Sequence, residues 1–551
     1  MLLRFQLDFT TQAKIPDISQ CLGKISLQSP PWEYYVFSLL RTGLYGLSTV
    51  EHSIHSRVCP ALYGPLFPEH TTVYHTYKGD LDIAHRALHT RYGPLVRIAP
   101  NEVLSSSPSA VPIIYRTQRP LAKSDWYTAF RPQGISPHAD IFTETDEVKH
   151  TRFRKVVQSA YSMSNVLKNE SVINECTSLL LKRLGDVAGT GQDVDLGYWL
   201  DLYAHDIIGY VLFGSSFGFL ESGTDVGSFV ESVEAAQPLS CLCAAAPSYL
   251  RTPIMLCAMC IPSTLKSFKA VGATAIEARN TTQRRMQDTA DEAAKRTDIL
   301  SNLLSRTTTP GDKSVPEDKA WFTHNEVVLE AWAGIMAGAD SVAVNLRAFF
   351  YYLMKNPHCM SRAIEEVQNA STQGLLSTPI TYHESTKHLP YVGACIKEAA
   401  RIFPSFANSQ ARVAPAEGIT LSGVYIPSGY RVGMNAACVQ HDTGVFGDDA
   451  GSFNPERWLE SHERSVAMEK SMLFFGAGTR TCLGKNVSTE LLCYSPWIVS
   501  GGAVALAEIH KIAPEILRHF DMHMAHDRPW KTRNSGFNKQ SDVIVKLTAR
   551  I

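Results

Sequence analysis

The sequence lacks a surplus of charge of either sign: its 551 residues carry 52 Lys+Arg against 53 Asp+Glu, a formal net charge of −1. A protein that neutralises nucleic-acid phosphates needs a basic excess, so that class is excluded. Charge is also scarce overall, at 19% against roughly 25% in an average soluble protein. With 44% hydrophobic residues, the chain has ample material for a core and does not read as disordered. There is no cysteine-dense module. Twelve cysteines are scattered along the chain, which reads as a reducing compartment without a disulfide scaffold. The N-terminus lacks the unbroken apolar core of a secretory signal, because Arg4, Asp8, Lys14, Asp17 and Lys24 interrupt it. Residues 32–50 come nearest to a membrane span but carry Glu33 and Arg41, where a span needs about 20 mostly apolar residues. An interfacial helix is the reading there. Internal repeats and low-complexity tracts are missing too.

What is present is a long, mostly helical pattern. Three prolines and a glycine in residues 56–72 read as a hinge ahead of a folded body. Length alone leaves room for several domains. Short alternating runs at 94–98 and 102–105 predict a small β element. Apolar residues at three-to-four spacing predict helices over 146–161, 171–184 and 200–212. A polar Pro/Gly loop at 305–320 precedes the longest helical pattern, 325–355, which would span roughly 45 Å and cross the whole domain. Leu389, Val392, Ile396, Ala399, Ala400 and Phe403 mark one face of a further helix, ended by Pro404. A strand pair follows at 419–421 and 424–426.

The segment Phe474-Phe475-Gly476-Ala477-Gly478-Thr479-Arg480-Thr481-Cys482-Leu483-Gly484 carries the chemistry. A thiolate acting as an axial metal ligand needs shielding from water, backbone N–H donors, and small residues so that the backbone can approach a flat macrocycle. Gly476 and Gly478 permit a tight loop, Cys482 supplies the sulfur, and Gly484 lets the backbone pass close by. A helix starting just after Cys482 would add its N-terminal dipole. Arg480 is placed to meet an anion such as a haem propionate. Alone, Cys482 reads as an inert buried thiol. GAGTRT as a dinucleotide loop fails because Thr481 stands where the third glycine belongs.

The run from Phe475 to Gly484 resembles the haem-ligand signature of the cytochrome P450 family at every position. The resemblance implies a mainly α fold with small β-sheets, built around a long central helix over a cysteine-ligated haem b, with Cys482 as the axial ligand of the iron. It divides the chain into an N-terminal segment, 1–60, that is a degenerate membrane-association region, and a catalytic domain, 61–551. Three further motifs follow the family's pattern. Glu398-Ala399-Ala400-Arg401 places opposite charges on one helix face, ordinarily a solvated pair. Together with Arg457 in Phe453-Asn454-Pro455-Glu456-Arg457-Trp458 it resembles the family's buried structural network. In the long helix, Ala337-Gly338-Ala339-Asp340-Ser341 resembles the oxygen-activation motif, with Ser341 where Thr is customary, so Gly338, Asp340 and Ser341 are the expected catalytic positions. The competing reading makes Gly334 and Gly338 a packing stripe. His150 and Arg154, at i and i+4, and Arg412 resemble propionate contacts, joining Arg480, Phe475, Gly476 and Gly484 as cofactor-binding residues.

A second constellation, Cys241, Cys243, Cys257 and Cys260, offers four thiols to zinc, but residues 235–265 contain one charge, Arg251, and are otherwise greasy. In the family this region lies at the mouth of the substrate channel, so the alternative is a lid that rests on a bilayer. The resemblance implies a monooxygenase that inserts one atom of O2 into a hydrophobic small molecule, a terpenoid or polyketide of fungal secondary metabolism. Candidate pocket residues lie around 118–140, in the 235–265 lid, at 333–341, around Phe406 and near Phe537. Electrons would come from NADPH through a separate NADPH-cytochrome P450 reductase, steered by Arg152, Lys155 and Lys485. The cytosolic face of the endoplasmic reticulum membrane is the expected location, with no nucleic-acid partner. Alternatives are a non-oxidative haem-thiolate isomerase or dehydratase, and an impaired haem binder. The last arises because residues 489–505, with Pro496, Gly501 and Gly502, read as an insertion between the Cys482 segment and a helix at 506–520.

Overall fold

The computed structural model describes residues 69–308, 321–485 and 504–550. Among them are thirteen α-helices of ten or more residues: α1 (Glu69–Lys78), α2 (Leu81–Tyr92), α3 (Glu147–Val157), α4 (Glu170–Ala188), α5 (Leu196–Phe213), α6 (Phe229–Ala245), α7 (Ser248–Met259), α8 (Pro262–Arg285), α9 (His324–Lys355), α10 (Pro357–Thr372), α11 (Pro390–Ile402), α12 (His462–Ser471) and α13 (Val504–His519). The strands are few and short, as expected. β1 (Leu95–Ala99), β2 (Glu102–Ser105), β4 (Arg412–Val413) and β7 (Arg431–Gly433) form one sheet in the order β1-β2-β7-β4; β3 (Val194–Asp195), β8 (Phe520–Met524) and β11 (Ile544–Ala549) form a second, with β11 central. Two hairpins, β5 (Ile419–Leu421) with β6 (Val424–Ile426) and β9 (Lys531–Ser535) with β10 (Phe537–Ser541), complete the set.

α9 is the organising element. Its 32 residues span about 48 Å, and the Thr323–Glu326 capping box satisfies orphan N–H groups at its start. It is long and apolar enough to cross a bilayer, yet 61% of its most apolar window is buried against protein, so its hydrophobicity is used in the core. Val327, Leu329, Val344, Leu346, Phe349 and Phe350 are fully or nearly fully buried. α5 packs along it closely because two glycines remove side chains at the crossing. A Cβ on Gly334 would meet Leu212 Cδ1 at 3.0 Å, and one on Gly338 would meet Ile208 Cδ1 at 2.6 Å. This is the packing stripe that the sequence offered as one reading of these glycines.

The same core cluster takes in α4, α5, α9, α11 and α13, while Val103, Ile114, Tyr115, Val432, Met434 and Leu473 form a second cluster beneath the β1-β2-β7-β4 sheet. The lid differs. α7 buries a single residue, Ile254, and exposes Tyr249 (53%) and Leu256 (65%). Predicted boundaries agree with the observed elements within a few residues. The helix expected directly after Cys482, and all but residues 504 and 505 of the 489–505 insertion, lie outside the described residues, as does the 1–60 segment.

Candidate functional site

The Cys482 segment is a loop stitched to itself. Gly476 N–H donates to Leu473 O (2.9 Å), Cys482 N–H to Phe475 O (2.9 Å) and Lys485 N–H to Cys482 O (3.0 Å). Gly476 and Gly478 both sit at φ +68°, in the left-handed region, and a Cβ on Gly478 would collide with Tyr115 O at 2.1 Å. Two glycines are therefore required here, one for the turn and one for the turn and a close backbone approach. Cys482 is exposed as a residue, but protein crowds its thiol. That enclosure raises its thiol pKa, while the backbone N–H groups of Gly484 and Lys485, then the charges of Arg154 and Lys485, pull the other way. These donors are aimed at a thiolate. Phe475 lies under Lys485, whose Nζ is 5.9 Å from the ring centroid.

Beside this loop the fold gathers basic side chains from four parts of the chain: Lys123, His150 and Arg154 on α3, Arg412 on β4, and Arg480. α3 begins where Asp146 caps it, accepting from the N–H groups of Val148 and Lys149, which places Glu147 at the first turn to pair with Arg480 (2.6 Å). Arg480 also donates to Glu144 O (2.7 Å), Arg154 to Thr481 O (2.7 Å), and Arg412 to Tyr127 Oη (3.2 Å). The cluster holds more positive than negative charge. Burial, then Arg480, Lys123, Arg154 and Arg412, push the His150 pKa down to about 2, and burial with Arg412 and Arg480 holds Lys123 well below its usual value. His150 Nδ1 is buried and has no hydrogen-bond partner among the described residues. A group of like charges with an orphaned polar nitrogen is arranged to receive an anion. Lys123 was legible only after folding; nothing in its sequence context marks it.

The α9 motif divides between two faces. Ala337 is exposed and Ser341 partly so, while Ala339 and Asp340 between them are buried, and Ser341 Oγ donates to Ala337 O (2.9 Å). Gly338 faces α5. Asp340 is buried in an ionic network, its carboxylate accepting from Gln237 Nε2 (3.2 Å) and pairing with Lys539 (3.4 Å), which also meets Asp201 (3.3 Å) and Glu234. Burial works against the Asp340 carboxylate, but Lys539, His205 and Arg347 outweigh it and hold its pKa below the usual range. Sequence reasoning missed Lys539 and Gln237, because their link to Asp340 spans about 200 and 100 residues.

Glu398, Arg401 and Arg457 do meet. Arg401 pairs with both Glu398 oxygens (2.7 and 2.8 Å), and Arg457 Nε (3.1 Å), Trp458 Nε1 (2.9 Å) and Asn454 N–H (3.0 Å) donate to the same carboxylate. All three charges are fully buried. The four thiols do not gather: Cys241 and Cys243 are buried, Cys257 and Cys260 exposed, and no group of three or more metal-ligating side chains occurs among the described residues. Near the site, Trp126 and Phe142 close on Phe406 at 6.1 and 6.3 Å between centroids. Arg152 lies over the Trp321 ring at 4.8 Å, and Lys155 is exposed.

Known proteins are similar to this chain in sequence. The family model described as cytochrome P450 matches residues 64–492. The cytochrome P450 monooxygenase ACRTS1 of Alternaria alternata is 42% identical over 72% of this chain and 99% of its own length. The cytochrome P450 monooxygenase gsfF of Penicillium aethiopicum is 38% identical over 88% and 93%, and cicH of Emericella nidulans 33% over 85% and 88%. With such coverage by the family and by fungal relatives of it, the chain belongs to the cytochrome P450 family and is a haem-iron monooxygenase.

Proposed function

We propose that this monooxygenase acts on a hydrophobic small molecule of fungal secondary metabolism, with Cys482 as the thiolate ligand of a haem b iron and with electrons from NADPH through a separate reductase. The observation that carries the reading is the pairing of an enclosed thiol, supplied with two backbone N–H donors, with an under-neutralised cation cluster beside it. These residues fit haem: Lys123, His150, Arg154, Arg412 and Arg480 would hold its two carboxylates, and Gly478 lets the Cys482 loop lie against the Tyr115 backbone. When bound, the haem supplies reductive activation of dioxygen, one atom of which enters the substrate.

The chain's own part is positioning and proton traffic. Ser341 offers a hydroxyl on the accessible face of α9, and Ala337 leaves room beside it. Asp340 stays ionised in its network behind that face. Glu398, Arg401 and Arg457 hold α11 against the loops that lead to Cys482; removing one would leave buried charge uncompensated. Trp126, Phe142 and Phe406 present an aromatic surface that suits an apolar ligand. The exposed apolar residues of α7 support a resting place on the endoplasmic reticulum membrane. Residues 489–505 are proposed to be an insertion from a retained intron or mis-joined exon. Without them Ser488 runs into Leu506, and the family match itself ends at residue 492.

The test is the spectrum of the reduced protein under carbon monoxide. A thiolate-type red-shifted Soret band is expected, absent in Cys482→Ala; a wild type lacking the band overturns the reading. Turnover with no electron donor would instead identify an isomerase or dehydratase.

A further inference from the structure

Of the nine cysteines among the described residues, six are buried; Cys482 belongs to the site, which leaves Cys257 and Cys260 as exposed, free thiols that the function does not use. Both stand on one face of α7. Beyond its first residue, the exposed positions of that helix are Tyr249, Thr252, Pro253, Leu256 and Cys257, and Cys260 follows as its cap with right-handed helical backbone. Steps of three and four draw these six residues into a single stripe. The stripe carries no charge. Arg251, the one charged residue of the run 235–265, is turned inward: 14% of its side chain is exposed, and it donates to Asp125 O (2.8 Å) and pairs with the Asp125 carboxylate (3.1 Å).

The outer face of α7 is left bare by the fold. Tyr249 is 53% and Leu256 65% exposed, while the helix buries Ile254 alone. Its 12 residues are too few to cross a bilayer, and the chain turns by 105° into α8 with Cys260 at the corner. A short helix with an uncharged face outward lies in the membrane plane, that face sunk about 5–10 Å to the boundary between headgroups and acyl chains. There a long-chain acyl-CoA presents its thioester, because its chain dissolves in the bilayer and its nucleotide stays in water. The stripe thus sets two thiols three residues apart at the depth of an acyl donor. Cys260 Sγ is held only by a long bond to Leu256 O (3.5 Å).

We propose that Cys257 and Cys260 are S-acylation sites, each taking a long-chain fatty acyl group from acyl-CoA. The cysteine sulfur attacks the thioester carbonyl, a carbon–sulfur bond to the protein forms as the bond to CoA breaks, and CoA leaves as a thiol with the cysteine's proton. Two chains anchor firmly where one binds marginally and reversibly. The proposal rests on the reading that α7 lies on a membrane and is independent of the haem-thiolate assignment. It is tested on the full-length chain from a fungal host: thiols are reduced and blocked with N-ethylmaleimide, thioesters are opened with neutral hydroxylamine, and the released thiols are labelled with maleimide-polyethylene glycol. Wild type should gain two polymer units only after hydroxylamine, Cys257→Ser and Cys260→Ser one each, and the double variant none while keeping the carbonyl Soret band. The mass of the tryptic peptide 252–266, which holds both cysteines, locates the groups without any substitution. Fewer than two hydroxylamine-dependent units in wild type, or units that persist in the double variant, would overturn the proposal. Deuterium exchange of residues 248–259 in unacylated bacterial protein, with and without phosphatidylcholine vesicles, tests the membrane reading by itself. Protection there without acyl groups in the fungal product strikes the acylation alone.

Discussion

Glu330 sits on α9 at 2% exposure. One carboxylate oxygen accepts from Tyr161 Oη (3.0 Å), and the other has no partner among the described residues. Burial, opposed by the tyrosine and reinforced by Asp140, raises its pKa to about 7. A buried acid with a raised pKa keeps its proton when folded and loses it at about 4.5 when unfolded, so its contribution to stability is full below pH 4.5 and declines as pH rises to 7. Glu330→Gln cannot ionise. The variant should match wild type at pH 4.5 and exceed it by about 3 kcal/mol above pH 7, at about 1.4 kcal/mol per pKa unit; urea midpoints across that range check this, and parallel profiles would refute it. Asp340, ten residues further along the same helix, shows the opposite outcome, because Lys539 supplies the counter-charge that Glu330 lacks.

Between elements, the α5–α9 crossing depends on absent atoms. Gly338→Ala would set its Cβ 2.6 Å from Ile208 Cδ1 and 2.9 Å from Cγ1, and Ile208 is buried, so the side chain has little room to yield. Overpacking of this kind costs about 1–3 kcal/mol. The variant should lose that much in denaturant unfolding, and Ile208→Val in the same chain should recover part of it by removing the Cδ1 that clashes. Recovery would identify packing as the cause. A loss that Ile208→Val leaves untouched would point instead to the exposed face that carries Ala337 and Ser341. The crossing was readable in the sequence only as a choice between two roles for Gly338, since helical spacing gives which residues share a face and not which neighbour that face meets.

For the molecule as a whole, the stretch 489–505 decides whether the Cys482 loop connects directly to α13. A chain lacking these residues should load haem at least as fully as the full-length protein, read from the carbonyl Soret absorbance per mole of protein. Transcripts should likewise omit the stretch. Lower loading in the shortened chain, together with its presence in mature message, would make it part of the functional protein. α13 itself forms with Leu517, Ile516, Ile512 and Ile509 in the core, so the helix beyond the stretch has the apolar face it needs wherever the preceding chain runs.

The sequence by itself determined what depends on local chemistry and short spacing: helices from apolar periodicity, the hairpin β5–β6, the glycine-rich turn that only φ > 0 residues can make, and the contiguous Phe475-to-Gly484 signature that assigns the family. Glu398 and Arg401 were legible because they are three residues apart on one helix. The tertiary structure alone decided what depends on residues distant in the chain: Lys539 and Gln237 at Asp340, Lys123 among the arginines, Arg251 against Asp125, and the dispersal of the four thiols. Charge type and helical phase are local properties, whereas the partner of a buried charge is fixed by how whole elements cross, and that follows from burial summed over the chain.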